Sequence, residues 1–214
     1  MGGTIKAFLE TFKNRKIKPG LILKVNGGNY SIMDRDQMIA KIEEVKSMVD
    51  GDLPNIYLLH GELTDDEMNG LYNHSKVKAM VNLTKGEGFG RPLLEFSLIK
   101  KPIITTGWSG HTDFLSQEFT NLIKGQLTNV HPSTANQFLL AESQWFSPDH
   151  GQVGFYLKDV FENYKKYTEG AKRQAFKSKS EFSWDKMKDK ISESSTAENL
   201  SLFRKKREYS SENS

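Results

Sequence analysis

The chain reads as an α/β fold, a Rossmann-like parallel sheet with helices on both faces, and three observations lead there. Short apolar runs alternate with amphipathic stretches through the first half of the sequence. Those runs hold too few polar residues to leave a face in water, as expected of parallel strands covered on both sides. A glycine-rich turn then follows one run and opens a helix, which is how a chain builds a seat for an anion.

Taken in order, Ile5, Phe8, Leu9 and Phe12 recur at helical spacing within residues 4–13, which predicts the first helix. Residues 21–25 are the first strand. Residues 34–48 place Met38, Ile42, Val45 and Met48 on one side of a second helix, and Asp34 with Gln37 three residues later reads as its capping box. Residues 56–60 are the second strand, and residues 65–72 a third, shorter helix after Gly61. Residues 77–83 and 102–106 are the third and fourth strands.

Beyond Leu115 the pattern weakens into a turn-rich stretch at 117–132, followed by helical segments at 135–142, 151–167 and 183–191. Trp145, Phe146, Phe155, Tyr156, Phe161, Tyr164 and Tyr167 crowd this region and read as packing, because each ring buries a large apolar area. Residues 193–214 turn to Ser, Glu and Lys, with six serines in 22 positions, too polar to offset their ordering entropy. The division expected is therefore one domain over 1–192 and a disordered tail over 193–214. The basic run 204–207 within that tail reads as a solvated patch.

Composition narrows the function. The 214 residues correspond to one ordinary domain of ~150 plus extra chain, not to a large two-domain enzyme. Lys and Arg number 30 against 27 Asp and Glu, a net of 30 − 27 = +3, too balanced for a nucleic-acid footprint over the whole chain. The absence of cysteine removes disulfides, thiolate metal sites and thiol catalysis, and fits a reducing, cytoplasmic location. No apolar run approaches the roughly 18 residues of a membrane span, and residues 1–16 are unlike a signal peptide. A soluble protein with no membrane span is expected.

The chemistry concentrates in Leu83-Thr84-Lys85-Gly86-Glu87-Gly88-Phe89-Gly90-Arg91-Pro92-Leu93-Leu94-Glu95-Phe96. Glycines at 86, 88 and 90 let backbone amides approach a ligand closely, and Pro92 fits the first turn of the helix that follows. The free amides and positive dipole end of that helix suit a diphosphate. Glu95 lies about one turn in, roughly 4.5 to 6 Å along the axis, and a helical side chain leans back toward the amino end. Its carboxylate is thus set to accept a ribose diol, or else to complement the dipole as an ordinary first-turn acid. Glu87 stands on the loop itself.

Other signatures fail. The dinucleotide pattern needs a glycine at 91, where Arg stands, and there is no P-loop. Nothing sets Glu87 and Glu95 opposite each other as a glycosidase pair. Asp34-Arg35-Asp36 resembles the metal-binding Asp-x-Asp of another glycosyltransferase fold, although capping explains Asp34 more simply. His60, His74, His111, His131 and His150 show no metal-ligand spacing, so neither metal nor cofactor is expected.

Glu87-Gly-Phe-Gly-Arg-Pro-Leu-Leu-Glu95, Lys101-Pro-Ile-Ile-Thr-Thr and Gly107-Trp-Ser-Gly-His-Thr-Asp113 together resemble the E-x7-E donor-site motif of retaining GT-B glycosyltransferases, the glycogen-synthase-like group. The likeness extends more loosely from Ile5 to about Ile191 and implies the C-terminal, nucleotide-sugar-binding half of that fold. It implies that Glu95 holds the ribose, that Glu87 lies by the donor sugar as the catalytic residue, and that Gly88, Phe89 and Gly90 approach phosphate or sugar. Gly61, Glu62 and Leu63 then border the base, Thr84 heads the binding turn, and Gly110 matches a family glycine. Asp113 stands where the family usually has Glu.

The resemblance also implies a preceding strand with an Arg and a Lys for the diphosphate, and an N-terminal acceptor domain. The sequence opens instead on what resembles the following helix, so the N-terminal strand is expected to be missing. Lys85 and Lys24 are the candidates to compensate, and both read first as surface lysines. The expected function is metal-independent transfer of a sugar from a nucleotide diphosphate sugar to an unknown acceptor with retention, as a fragment lacking the acceptor domain. The alternative is a non-catalytic nucleotide-sugar-binding module acting with a separate chain; an epimerase or phosphorylase ranks third.

Overall fold

The computed structural model describes residues 2–25, 28, 30–130, 140 and 142–194. It is mixed α/β, with parallel strands flanked by helices, as the alternation predicts. Helix α1 (Gly2–Phe12) buries Ile5, Phe8, Leu9 and Phe12, the four residues that its spacing selects. Strand β1 (Leu21–Lys24) and strand β2 (Ile56–Leu59) pair in parallel, Leu21 opposite Ile56. Strands β3 (Met80–Asn82), β4 (Ile103–Thr106) and β5 (Asn121–Ile123) form a second parallel sheet with β4 central.

Among the described residues no strand pairs β1 with β3, so the expected sheet is present as two parallel pieces. A shared core joins them. Leu21 from β1 and Ala79 and Val81 beside and within β3 pack against one cluster containing Phe8, Phe12, Ile104, Ile123 and Val153. Helix α1 bridges the pieces, because its Ile5 and Leu9 pack with Leu23 and with Ile42 of helix α2 (Ile32–Ser47). On the other face of β4, Ile103 meets Tyr72 of α3 (Asp65–Asn73), Leu93 and Phe96 of α4 (Arg91–Ser97), and Phe114.

The structure corrects several local expectations. The cap of α2 is Ser31, whose hydroxyl accepts the Asp34 N–H at 3.1 Å, not Asp34 itself. Serine caps as well as aspartate does, and starting the helix at Ile32 leaves the Asp34 carboxylate for His60, 2.6 Å away. A capping box does open α3, between Thr64 and Glu67. The stretch 117–132 contains β5 and β6 (Gly125–Asn129), and β6 pairs antiparallel with β7 (Gln144–Pro148). Pairing with β7 overrides the weak strand propensity of Gly125 and Asn129.

The segment 151–167 is two helices, α5 (His150–Glu162) and α6 (Tyr164–Glu181), divided at Asn163. Most of α6 escapes a search for apolar periodicity because it buries Ala171, Gln174, Ala175 and Ser178 rather than large apolar side chains. Helix α7 (Trp184–Ser194) runs past the expected start of the tail at 193; residues 195–214 lie outside the described residues. So does nearly all of the segment 135–142. Not every strand face is covered, since Ile22 and Tyr57 are 44% and 55% exposed, and Phe155 is exposed rather than packed. Among the described residues no helix is long and apolar enough to cross a membrane.

Candidate functional site

In parallel α/β sheets ligands bind in the crevice at the carboxyl ends of the strands. That edge carries the three loops expected to hold the donor. Thr84 to Gly90 leave β3, Gly107 to Asp113 leave β4, and Gly61 to Leu63 leave β2.

Two of these loops are clamped together. Gly110 lies directly on the other loop: a Cβ there would stand 2.0 Å from the Gly88 carbonyl oxygen and 3.0 Å from that of Glu87. Only glycine fits, and its N–H donates to the Glu87 carbonyl at 3.1 Å. Ser109 adds a second clasp, its Oγ accepting the Glu87 N–H at 3.1 Å and donating to the Glu87 carbonyl at 2.7 Å. To make it, Ser109 holds φ 87° and ψ −171°, a conformation that costs a non-glycine residue on the order of 1–3 kcal/mol and tends to persist where function requires it. Beneath the clasp, the Thr105 and Thr106 hydroxyls donate to the Asn82 and Thr84 carbonyls. His111, fully buried, donates from Nε2 to the Thr106 carbonyl, and its Nδ1 has no partner among the described residues.

The glycine loop is also shaped from within. The Thr84 hydroxyl donates to the Gly86 carbonyl at 2.8 Å and accepts the Gly86 N–H at 3.2 Å, so it builds the turn. Gly90 has φ 84°, the left-handed region that favours glycine, and a Cβ there would stand 3.1 Å from the His111 Cβ. Phe89 turns its ring onto Phe114 and Phe182, 5.1 and 6.3 Å between centroids. Among the described residues no protein acceptor takes the amide hydrogens of Gly88, Phe89 or Gly90. Successive backbone amides without a protein acceptor are the donors from which anion-binding nests are built.

The two carboxylates differ. Glu87 is half-buried and its Oε1 accepts from the Asn82 side-chain amide at 3.3 Å. Glu95 leans back along α4, as its helical position predicts, and pairs with Arg91 at 2.6 Å. Arg91 is 74% exposed and lies 3.7 Å from Asp65 at the start of α3, so the Gly61 to Leu63 loop and the glycine loop adjoin. Gly61 itself has φ 121°, and its carbonyl accepts the Lys24 ammonium at 2.5 Å. Glu62 is exposed and Leu63 half-buried.

Neither candidate cation stands free. Lys24 is held by Gly61, and the Lys85 ammonium sits 2.9 Å from the centroid of the Trp145 ring, with burial pushing its pKa down. Asp34 and Asp36 do not converge as metal ligands: Asp34 is buried against His60, and Asp36 faces solvent beside Arg35. Among the described residues no three potential metal ligands cluster.

Sequence reasoning missed Ser109, Asn82 and the Asp34–His60 pair as parts of this edge. Trp-Ser-Gly after a strand is a visible signal, but the positive φ of Ser109 becomes apparent only once Gly110 lies against Gly88. Compared with protein-family models and with curated proteins the chain matches none.

Proposed function

We propose that the chain binds a nucleotide diphosphate sugar at the 84–90 loop and serves as the donor-binding part of a retaining glycosyltransferase. The observation that carries this reading is the row of unpartnered amides at Gly88, Phe89 and Gly90, flanked by Glu87 and Glu95, at the carboxyl edge of a parallel sheet. The diphosphate lies on those amides, which stabilise charge as it grows on the leaving group. Glu87, steadied by Asn82, orients the donor sugar. Gly61, Glu62 and Leu63 border the base. Transfer needs an acceptor held opposite, by a further domain or a separate chain, because orientation of two reactants contributes about 7–11 kcal/mol in good cases.

The Arg91–Glu95 pair does not obstruct this role. An exposed i,i+4 ion pair is screened by water and holds its partners weakly, whereas hydrogen bonds from a bound ligand to a carboxylate are made out of water. Two ribose hydroxyls therefore outcompete the guanidinium, which is left over the diphosphate as a cation.

Titration calorimetry with UDP, GDP and ADP in excess chelator tests the reading. At least one is expected to bind, and Glu95→Ala to weaken it by about 1.5–3 kcal/mol. Unchanged affinity in a folded variant overturns the ribose role; no binding by any of the three, with or without metal, overturns the reading. Binding that is lost in chelator and restored by manganese overturns metal independence.

A further inference from the structure

Resting on that reading, we propose that Trp108 is the platform on which the transferred sugar lies, with Ser109 as the residue that positions it. Trp108 follows β4 and remains 37% exposed although it is a large apolar side chain at the mouth of the site. Its ring runs parallel to that of Phe146 and offset from it, 3° between planes and 6.0 Å between centroids, and Phe146 is buried. One edge is bounded by Gly86, where a Cβ would stand 3.2 Å from the indole. The exposed part of the indole therefore opens to solvent beside the loop that carries Glu87.

The ring is aimed rather than loose. Ser109 keeps its glycine-like backbone while both atoms of its hydroxyl group are committed to the Glu87 peptide groups. Glycine would adopt that backbone without strain, so what the serine adds is the clasp, which fixes the indole relative to Glu87. Strand β7 supports the same placement, since the Phe146 N–H donates to the Lys85 carbonyl at 3.1 Å and Trp145 lies under the Lys85 ammonium. A rigid indole face beside a carboxylate is the recognition chemistry of a pyranose. The sugar's C–H face stacks on the electron-rich ring while its hydroxyls meet the acid.

The test uses the full chain with Trp145→Phe and Trp184→Phe, which leaves Trp108 as the sole tryptophan and keeps a ring under Lys85. UDP-glucose, GDP-mannose and ADP-glucose are each compared with their nucleoside diphosphate. For the nucleotide that binds, its sugar form is expected to shift Trp108 fluorescence while the bare diphosphate does not. Trp108→Ala is expected to weaken the sugar form about three- to tenfold and to leave the diphosphate unchanged. Ser109→Gly is expected to lower Trp108 fluorescence anisotropy with the melting temperature preserved; unchanged anisotropy overturns the positioning role. If Trp108→Ala changes neither ligand, the platform is overturned while nucleotide binding stands. Equal weakening of both means the ring stacks on the base, which overturns its assignment to the sugar. If no nucleotide or nucleotide sugar binds, the nucleotide-sugar reading falls and the platform with it.

Discussion

The two parallel sheets of this molecule are built on opposite terms. In the β3–β4–β5 sheet the central strand is paired on both sides and all four of its residues are buried, so helices on both faces and two neighbouring strands hold it in place. In the β1–β2 sheet each strand has one paired neighbour among the described residues, Ile22 and Tyr57 reach solvent, and the carboxyl edge is tied by polar contacts, Lys24 to Gly61 and Asp34 to His60. Packing cannot shift by an ångström without losing dispersion and opening voids, whereas polar tethers between loops can exchange partners. The loops that we assign to the diphosphate and sugar leave the β3–β4–β5 sheet, and the loop assigned to the base leaves the β1–β2 sheet.

Core truncation gives the largest expected contrast. Ile104→Ala in β4 should lower stability to urea by about 2–5 kcal/mol, while Ile22→Ala in β1 should change it by no more than ~0.5 kcal/mol. Equal losses would break the contrast between the sheets. Next, Asp34→Ala should cost about 1.5–3 kcal/mol, because a buried partner of His60 is removed. A double-mutant cycle with His60→Ala measures the tether itself, and a coupling near zero would show that something else holds the β1–β2 edge.

Gly110→Ala forces a methyl group against the Gly88 carbonyl and should cost about 1–3 kcal/mol of stability by overpacking. Binding of the nucleoside diphosphate should fall with it, since Gly88 must move. A fully stable variant with unaltered affinity would mean that the two loops are not clamped.

The smallest effect is a pH dependence on the packed side. Asp159 of α5, which lies against β4 and β5, has its pKa held down to about 2, chiefly by the Lys166 ammonium and then by the Tyr167 and Asn163 side chains. A carboxylate with a lowered folded-state pKa contributes stability above its unfolded value of ~3.9, and that contribution is lost as pH falls toward ~2. Asp159→Asn should therefore flatten the melting temperature between about pH 4 and pH 2 relative to the parent chain. An unchanged slope would remove Asp159 from the acid response.

Much of the β1 to β4 half was legible in advance because its signals are local. Ile5, Phe8, Leu9 and Phe12 share one helix face whatever surrounds them, and the glycines at 86, 88 and 90 imply close backbone approach wherever the turn sits. Helix α6 was mostly illegible for the opposite reason: Gln174 is buried only because Phe114, Ser116 and Thr120, more than 50 residues away, meet its amide.

By itself, then, the sequence determined the alternation of strands and helices, the glycine turn with its two acids, and the side of α4 toward which Glu95 leans. The tertiary structure alone decided that the sheet is in two pieces among the described residues, that Asp34 pairs with His60 instead of capping, that β6 and β7 pair antiparallel, and that Ser109 adopts a glycine's backbone. The first set follows from dihedral limits and from periodicity within a few residues. The second depends on atoms 15 or more residues apart sharing one volume, where a buried polar group takes whichever partner the packing brings within reach.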